Sequence, residues 1–272
     1  MTASAVRDFL KRDVTASGVR VQVMEAGHGH ATVYLHGAGT MSGFGDLLPL
    51  ARNRRLIIPI HPGFGASEDD PRIDSVLDYA IHYAGLFSQL GLIGPIDLIG
   101  HSLGGWIASL FTIFYGHRVR RLALACPAGL RVPEHPTTDL FMIPPERLLS
   151  HLISNPETLK RFTSVAMTND MRIARYRETT SLARVMWDRN YEPKLGRWLE
   201  GLTTPTLVMW GEQDRVMPAQ QAEHWARHLA HAQIETFPGA GHLLFAETPS
   251  AVECLEAFLN TEHLEGSRTS EV

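Results

Sequence analysis

The chain has 272 residues, 44 % of them hydrophobic, with a formal net charge of −4 and a pI near 6.4. That length fits one large α/β domain carrying an insertion, and the hydrophobic share is enough for a sizeable core. The acidic balance leaves no basic footprint for nucleic acid, no apolar run approaches the ~20 residues of a membrane helix, and Cys126 and Cys254 make neither a disulfide framework nor a metal-ligand spacing.

Residues 1–12 carry Arg7, Asp8, Lys11 and Arg12 without the apolar stretch of a signal peptide, so a cytoplasmic protein is expected. Residues 19–24 alternate apolar and polar side chains, the pattern of an early antiparallel strand. A Gly27-His28-Gly29-His30 turn follows, with no third ligand nearby to make its histidines a metal site. Residues 31–35 form a β-rich run ending in His36-Gly37-Ala38-Gly39, and residues 56–60 form another, closed by His61-Pro62-Gly63-Phe64-Gly65-Ala66-Ser67. Between residues 73 and 90 apolar side chains recur at helical spacing, and Gly91 stops the helix.

The stretch from Ile96 to Phe114 sets the organisation of the chain. An apolar run, Ile96-Asp97-Leu98-Ile99, leads into Gly100-His101-Ser102-Leu103-Gly104, and a helical pattern begins at once. G-x-S-x-G between strand and helix describes a nucleophile elbow, a sharp turn that presents a serine hydroxyl. Residues 121–126 give the next strand. From about 128 to 199 strand-like runs vanish, prolines cluster, and helical pieces start at Pro145-Glu146, at Pro156-Glu157 and near Asp170. Strands resume at residues 206–210 and 233–237, with helices at 219–229 and 249–259, and the tail from Glu262 is polar. Strands that are apolar throughout, alternating with helices, predict an α/β fold with a mostly parallel sheet covered by helices on both faces. The expected division is a core of residues 1–127 and 200–272 with a helical cap of residues 128–199.

A serine hydroxyl attacks only when a base takes its proton, and the base needs a carboxylate to fix its tautomer. In parallel sheets the loops after the strands share one edge. Asp214 and His242 follow successive strands there, giving the order Ser102, Asp214, His242. Glu212 competes for the acid role but sits closer to its strand; the loop after Cys126 offers no carboxylate. His36 and His61 are read as structural loop histidines, and His101 as pointing away from Ser102. The glycines of residues 36–39 free a backbone N–H to meet an oxyanion, which assigns that role to Ala38 and Leu103. Gly37, Gly39, Met41, Phe44, Phe64 and Trp106, with Phe141 and Trp187 from the insertion, are candidates for a pocket taking an apolar acyl or aryl ester. No cofactor and no metal are expected.

Taken together, HGAG, HPGFGAS, GHSLGG, PTLVMWGEQDRVMP and FPGAGH resemble the α/β-hydrolase superfamily over roughly residues 19 to 260. That resemblance implies the α/β-hydrolase fold, a cap at the helical insertion, and serine chemistry rather than the aspartate of haloalkane dehalogenases and epoxide hydrolases. Carboxylesterases and the carbon–carbon bond hydrolases of aromatic degradation are the nearest in pattern. The latter carry a longer glycine-rich oxyanion loop and a Trp after the catalytic His, where this chain has Leu243. They also use a cap arginine, for which Arg175, Arg177, Arg184 and Arg189 are candidates. Ester cleavage is therefore the first expectation and carbon–carbon cleavage the second. A third is a ligand receptor that keeps the three residues without turnover.

Overall fold

Short runs rich in branched and aromatic residues, apolar on both faces, become the parallel strands of a single sheet. The structure, a computed structural model, describes residues 8–40, 43–164 and 166–261; Met41 and the polar tail from Glu262 lie outside them. In chain order the elements are β1 (Leu10–Ala16), β2 (Val19–Ala26), β3 (His30–Leu35), β4 (Arg54–Pro59), α1 (Val76–Gln89), β5 (Ile96–His101), α2 (Leu103–Tyr115) and β6 (Val119–Ala125). Next come α3 (Leu148–Leu152), α4 (Pro156–Thr163), α5 (Asn169–Met186) and α6 (Leu195–Leu199). The chain closes with β7 (Thr206–Gly211), α7 (Gln221–Arg227), β8 (Ala232–Phe237), α8 (Leu244–Glu247) and α9 (Pro249–Asn260). The eight strands run in the order β1-β2-β4-β3-β5-β6-β7-β8. β2 is antiparallel to both neighbours and every pairing from β4 to β8 is parallel.

Every residue of β5 and β7 is buried, which requires cover on both faces of the sheet. On the α1–α2 side, α2 packs on β3, β5 and β6 and α1 packs on α2; α9 lies against β7 and a 3-10 helix at Gly45–Arg52. α1 begins three residues later than its apolar spacing suggests. Ser75 and Asp78 form a capping box there, so residue 75 is the boundary. β1 departs from the sequence reading. Its residues are mostly exposed and polar, and it forms because a tight turn with positive φ at Ser17 and Gly18 folds it onto β2.

Between β6 and β7 the described residues contribute four α-helices, two short 3-10 helices and no strand to the sheet; an isolated bridge joins Gly129 to Tyr191. No helix among the described residues is long and apolar enough to cross a membrane.

Candidate active site

β5 delivers Ser102 to the sheet edge with φ +54° and ψ −118°, a conformation that costs an L residue about 1–3 kcal/mol and persists only where its surroundings hold it. They do so here: Ser102 N donates to Ala125 O at 3.0 Å, and Ser102 O accepts from Gly105 N at 2.9 Å and Ala128 N at 3.0 Å. Two glycines make the turn possible. A Cβ on Gly100 would lie 2.3 Å from Gly104 O, and one on Gly104 would lie 2.0 Å from Leu35 O.

Asp214, after β7, and His242, after β8, meet at 2.7 Å between Oδ2 and Nδ1. Oδ1 of Asp214 accepts from Val216 N at 2.8 Å and Met217 N at 2.9 Å. Burial alone would raise this carboxyl's pKa; the neighbouring His242 and the backbone donors outweigh it and hold it below the ordinary carboxylate range. A carboxylate on Nδ1 fixes the hydrogen there and leaves Nε2 of the neutral ring to take a proton. Glu212 lies exposed, with Thr236 Oγ1 3.4 Å from its Oε1.

His101 makes a contact that the sequence does not announce. Its ring is part of the site, reaching the His242 ring at a centroid distance of 4.9 Å, and its Nε2–H donates to His242 O at 2.8 Å. Among the described residues no hydrogen bond joins Ser102 Oγ to His242; the two loops are tied through His101.

The loop after β3 lies against the elbow, so that a Cβ on Gly37 would stand 3.2 Å from Ser102 Cβ. His36 and His61 brace it. Nε2 of His36 accepts from His61 N at 2.9 Å, Nε2–H of His61 donates to His36 O at 2.7 Å, and the rings stack 3.6 Å apart. Ala38 N–H has no acceptor among the described residues, and Leu103 N–H, at the first position of α2, is free by helix geometry.

Ala38, Ser102 and Leu103 open onto a cavity of about 240 Å³ that also meets Phe141, Leu182, Met186, Trp187 and Arg189. Phe141 and Trp187 therefore line it, their rings 5.3 Å apart. Phe44, Phe64 and Trp106 do not. Phe44 packs on Tyr34 and His36, Phe64 on the two brace histidines, and Trp106 under Gly129, all within the core. Gly37 sits beneath His101 and Ser102, Gly39 faces Glu178, and Met41 is outside the described residues. Of the candidate arginines, Arg184 pairs with Asp69 at 2.5 Å, Arg175 donates to Pro145 O, and Arg177 is exposed. Arg189 borders the cavity, its guanidinium 5.7 Å from the Tyr191 ring centre. A larger open groove of about 950 Å³ lies at the opposite end of the sheet beside Pro95, Val119 and Pro205, remote from these groups.

Three participants escape sequence reasoning. Cys126 stands at the end of β6 with φ +43°, and its Sγ joins donor atoms of Asp214 and His242 within 4.8 Å, a set that could ligate a metal ion. Burial is the first cause pushing its thiol pKa up, followed by the charge of Asp214. Glu178 of α5 accepts from Thr40 and Gly65, and Glu247 of α8 accepts from Gly241, Ser154 and Asn155. Glu178 sits in a stretch that reads as ordinary helix and Glu247 in one to which the sequence assigns no element, and nothing in their spacing marks them.

Comparison with known proteins agrees with this geometry. A family model described as the alpha/beta hydrolase family matches residues 32–253. The chain is 30 % identical to a 2-hydroxy-6-oxo-6-phenylhexa-2,4-dienoate hydrolase of Burkholderia cepacia, over 83 % of this chain and 86 % of that one. It is 25 % identical to a 2-hydroxy-6-oxo-2,4-heptadienoate hydrolase of Pseudomonas putida, over 85 % and 89 %. Among solved structures, a membrane phospholipase A superposes with a TM-score of 0.80 at 22 % identity, covering 93 % of this chain and 86 % of that one. The phenylhexadienoate hydrolase of Rhodococcus sp. strain RHA1 superposes with a TM-score of 0.76 at 22 % identity, covering 94 % and 100 %. The parallel sheet, the serine on a strained turn between β5 and α2, and a family match over most of the length agree: this chain belongs to the alpha/beta hydrolase family.

Proposed function

We propose that the chain is a serine hydrolase that cleaves a small carboxylic ester by acyl transfer. Ser102 is the nucleophile, His242 the general base and Asp214 the carboxylate that orients it. The 2.7 Å bond from His242 Nδ1 to Asp214, on the rim that also presents Ser102, carries this reading. It supplies the tautomer that base catalysis needs. Ser102 Oγ adds to the carbonyl carbon as its proton passes to His242 Nε2. The N–H groups of Ala38 and Leu103 hold the oxyanion, each such donor being worth about 3–4 kcal/mol in the transition state. The alcohol leaves with the proton from His242, and water repeats the cycle on the acyl-enzyme. Residues 128–199 act as a cap that walls the cavity with Phe141, Leu182 and Trp187.

Carbon–carbon cleavage of a vinylogous diketone acid is the second reading. Two observations favour it: the names of the curated relatives, and Arg189 at the cavity, where a guanidinium can meet a substrate carboxylate. A ligand receptor without turnover has no observation of its own.

Turnover of a p-nitrophenyl ester and of a vinylogous diketone acid by the wild type ranks the two reactions. Ser102→Ala is expected to lower either by at least ~1,000-fold and to abolish fluorophosphonate labelling. Labelling that persists in Ser102→Ala moves the nucleophile elsewhere.

A further inference from the structure

Among the described residues of the 128–199 segment, Glu178 is the one buried carboxylate, 3 % exposed. A glutamate on a helix belongs in water, and burying its charge is costly unless donors surround it. No cationic side chain pairs with it among the described residues; its partners are the hydroxyl and backbone N–H of Thr40, at 2.5 and 3.3 Å, and Gly65 N–H at 3.0 Å. One helix position therefore reaches both the loop after β3 and the loop after β4. The same face of α5 fastens again at Ser181, whose hydroxyl donates to Gly63 O at 3.1 Å, and at Arg184, which pairs with Asp69.

Thr40 lies two residues beyond Ala38. The other end of that loop is already fixed, since His36 is locked to His61 by two hydrogen bonds. Between the anchors stand Gly37, Ala38 and Gly39, a stretch whose glycines leave the backbone soft. An N–H that must meet an oxyanion has to be held before the charge develops. With His36 fixed and Thr40 released, the direction of Ala38 N–H is undetermined.

We propose that Glu178 is a positioning residue: from α5 of the insertion it grips Thr40 and Gly65 and thereby aims the Ala38 N–H at the oxyanion formed on Ser102. The insertion is then a working part of the catalytic scaffold as well as a cover. This rests on the acyl-transfer reading above.

Steady-state kinetics on whichever test substrate the wild type turns over, with Glu178→Gln, Glu178→Ala, Thr40→Val and the Glu178→Gln/Thr40→Val double variant, decide it. Glu178→Ala should lose about tenfold or more in kcat with KM changed by less than about threefold. Glu178→Gln, which keeps one acceptor oxygen, should fall between it and wild type. The double variant should lose less than the product of the two single losses, because both remove one contact. A trifluoromethyl ketone, which forms a tetrahedral adduct on Ser102, should lose affinity in step with kcat, while a ground-state carboxylic acid product should not; a merely structural role would not separate the two. Folded Glu178 variants with wild-type kcat and adduct affinity overturn the proposal while Ser102→Ala remains inactive. If Glu178→Ala does not fold, Glu178→Gln and Thr40→Val at wild-type values overturn it equally. Loss of the acyl-transfer reading itself shows separately, as labelling that survives Ser102→Ala, and takes this proposal with it.

Discussion

Gly104 has no room for a methyl group, since its Cβ would lie 2.0 Å from Leu35 O and 2.5 Å from His36 O. Those atoms belong to β3 and to the start of the loop that follows it, so Gly104→Ala must push α2 away from the strand or shift that loop. We expect a loss of about 1–3 kcal/mol, read as a lower urea midpoint, together with a fall in kcat. Gly94, with nothing within 4 Å of its Cβ position, is the control, and Gly94→Ala should leave both unchanged. At Asp214 the critical atom is a proton. An amide there offers His242 the wrong partner for its Nδ1–H tautomer, and Asp214→Asn should reduce kcat by roughly a thousandfold to ten-thousandfold with the fold intact. Full activity in that variant would reassign the acid.

Helices α5 and α8 do at the scale of elements what single bonds do at the site. α8 is only four residues long, yet its Glu247 accepts Gly241 N at 3.0 Å, Ser154 N at 2.8 Å and Asn155 N at 2.7 Å. It therefore joins the residue before His242 to the chain between α3 and α4. Leu243 N, donating to Leu152 O at 3.0 Å, and Ser154 Oγ, donating to Gln213 O at 3.0 Å, strengthen the junction. Glu247→Ala leaves its donors without that acceptor and should cost about 1–3 kcal/mol. Hydrogen exchange should locate the loss at residues 150–155 and 240–242; unchanged protection there would mean that the junction is held by its other contacts. With Glu178 bonded to the loops after β3 and β4, residues 128–199 are tied both to those loops and to the loop that carries His242.

For the whole molecule, the buried histidines set the response to acid. Burial holds His61 and His101 down at about 3, with His82 and His242 respectively adding to it, and burial with His61 beside it keeps His36 well below 6.5. Unfolded chains bind these protons near 6.5, so below that pH the unfolded state takes up more protons than the native one. Stability is present above pH 6.5 and lost as pH falls toward 3, by up to ~1.4 kcal/mol per pH unit for each ring. Asp214, held low, adds a loss in the same direction below its ordinary value of 3.8; Glu247, raised by burial, opposes it because its folded form favours the proton above 4.5. Three rings outweigh one carboxyl, so the urea midpoint should drop between pH 7 and pH 5. A midpoint that rises over that interval would contradict the neutral-histidine packing.

Local sequence carried the strand order from β2 onward, the longer helices, the elbow, and the glycines at 100 and 104, because periodicity and steric demand are written within a few neighbouring residues; the short α6 and α8 were not legible. It also singled out Asp214 and His242, since every loop after a parallel strand reaches the same edge. β1 was not legible: its polar residues become a strand only by pairing with β2. Phe64 and Trp106 were indistinguishable from pocket residues until packing placed them in the core. The turn of His101 toward His242, the thiol of Cys126 beside Asp214, and the grips of Glu178 on Thr40 and Gly65 and of Glu247 on Ser154 and Asn155 join residues more than 80 positions apart in the chain. Composition and spacing encode which groups a segment offers; only the tertiary structure decides which distant backbone N–H a buried carboxylate must satisfy, because that choice is made by desolvation after the layers have packed.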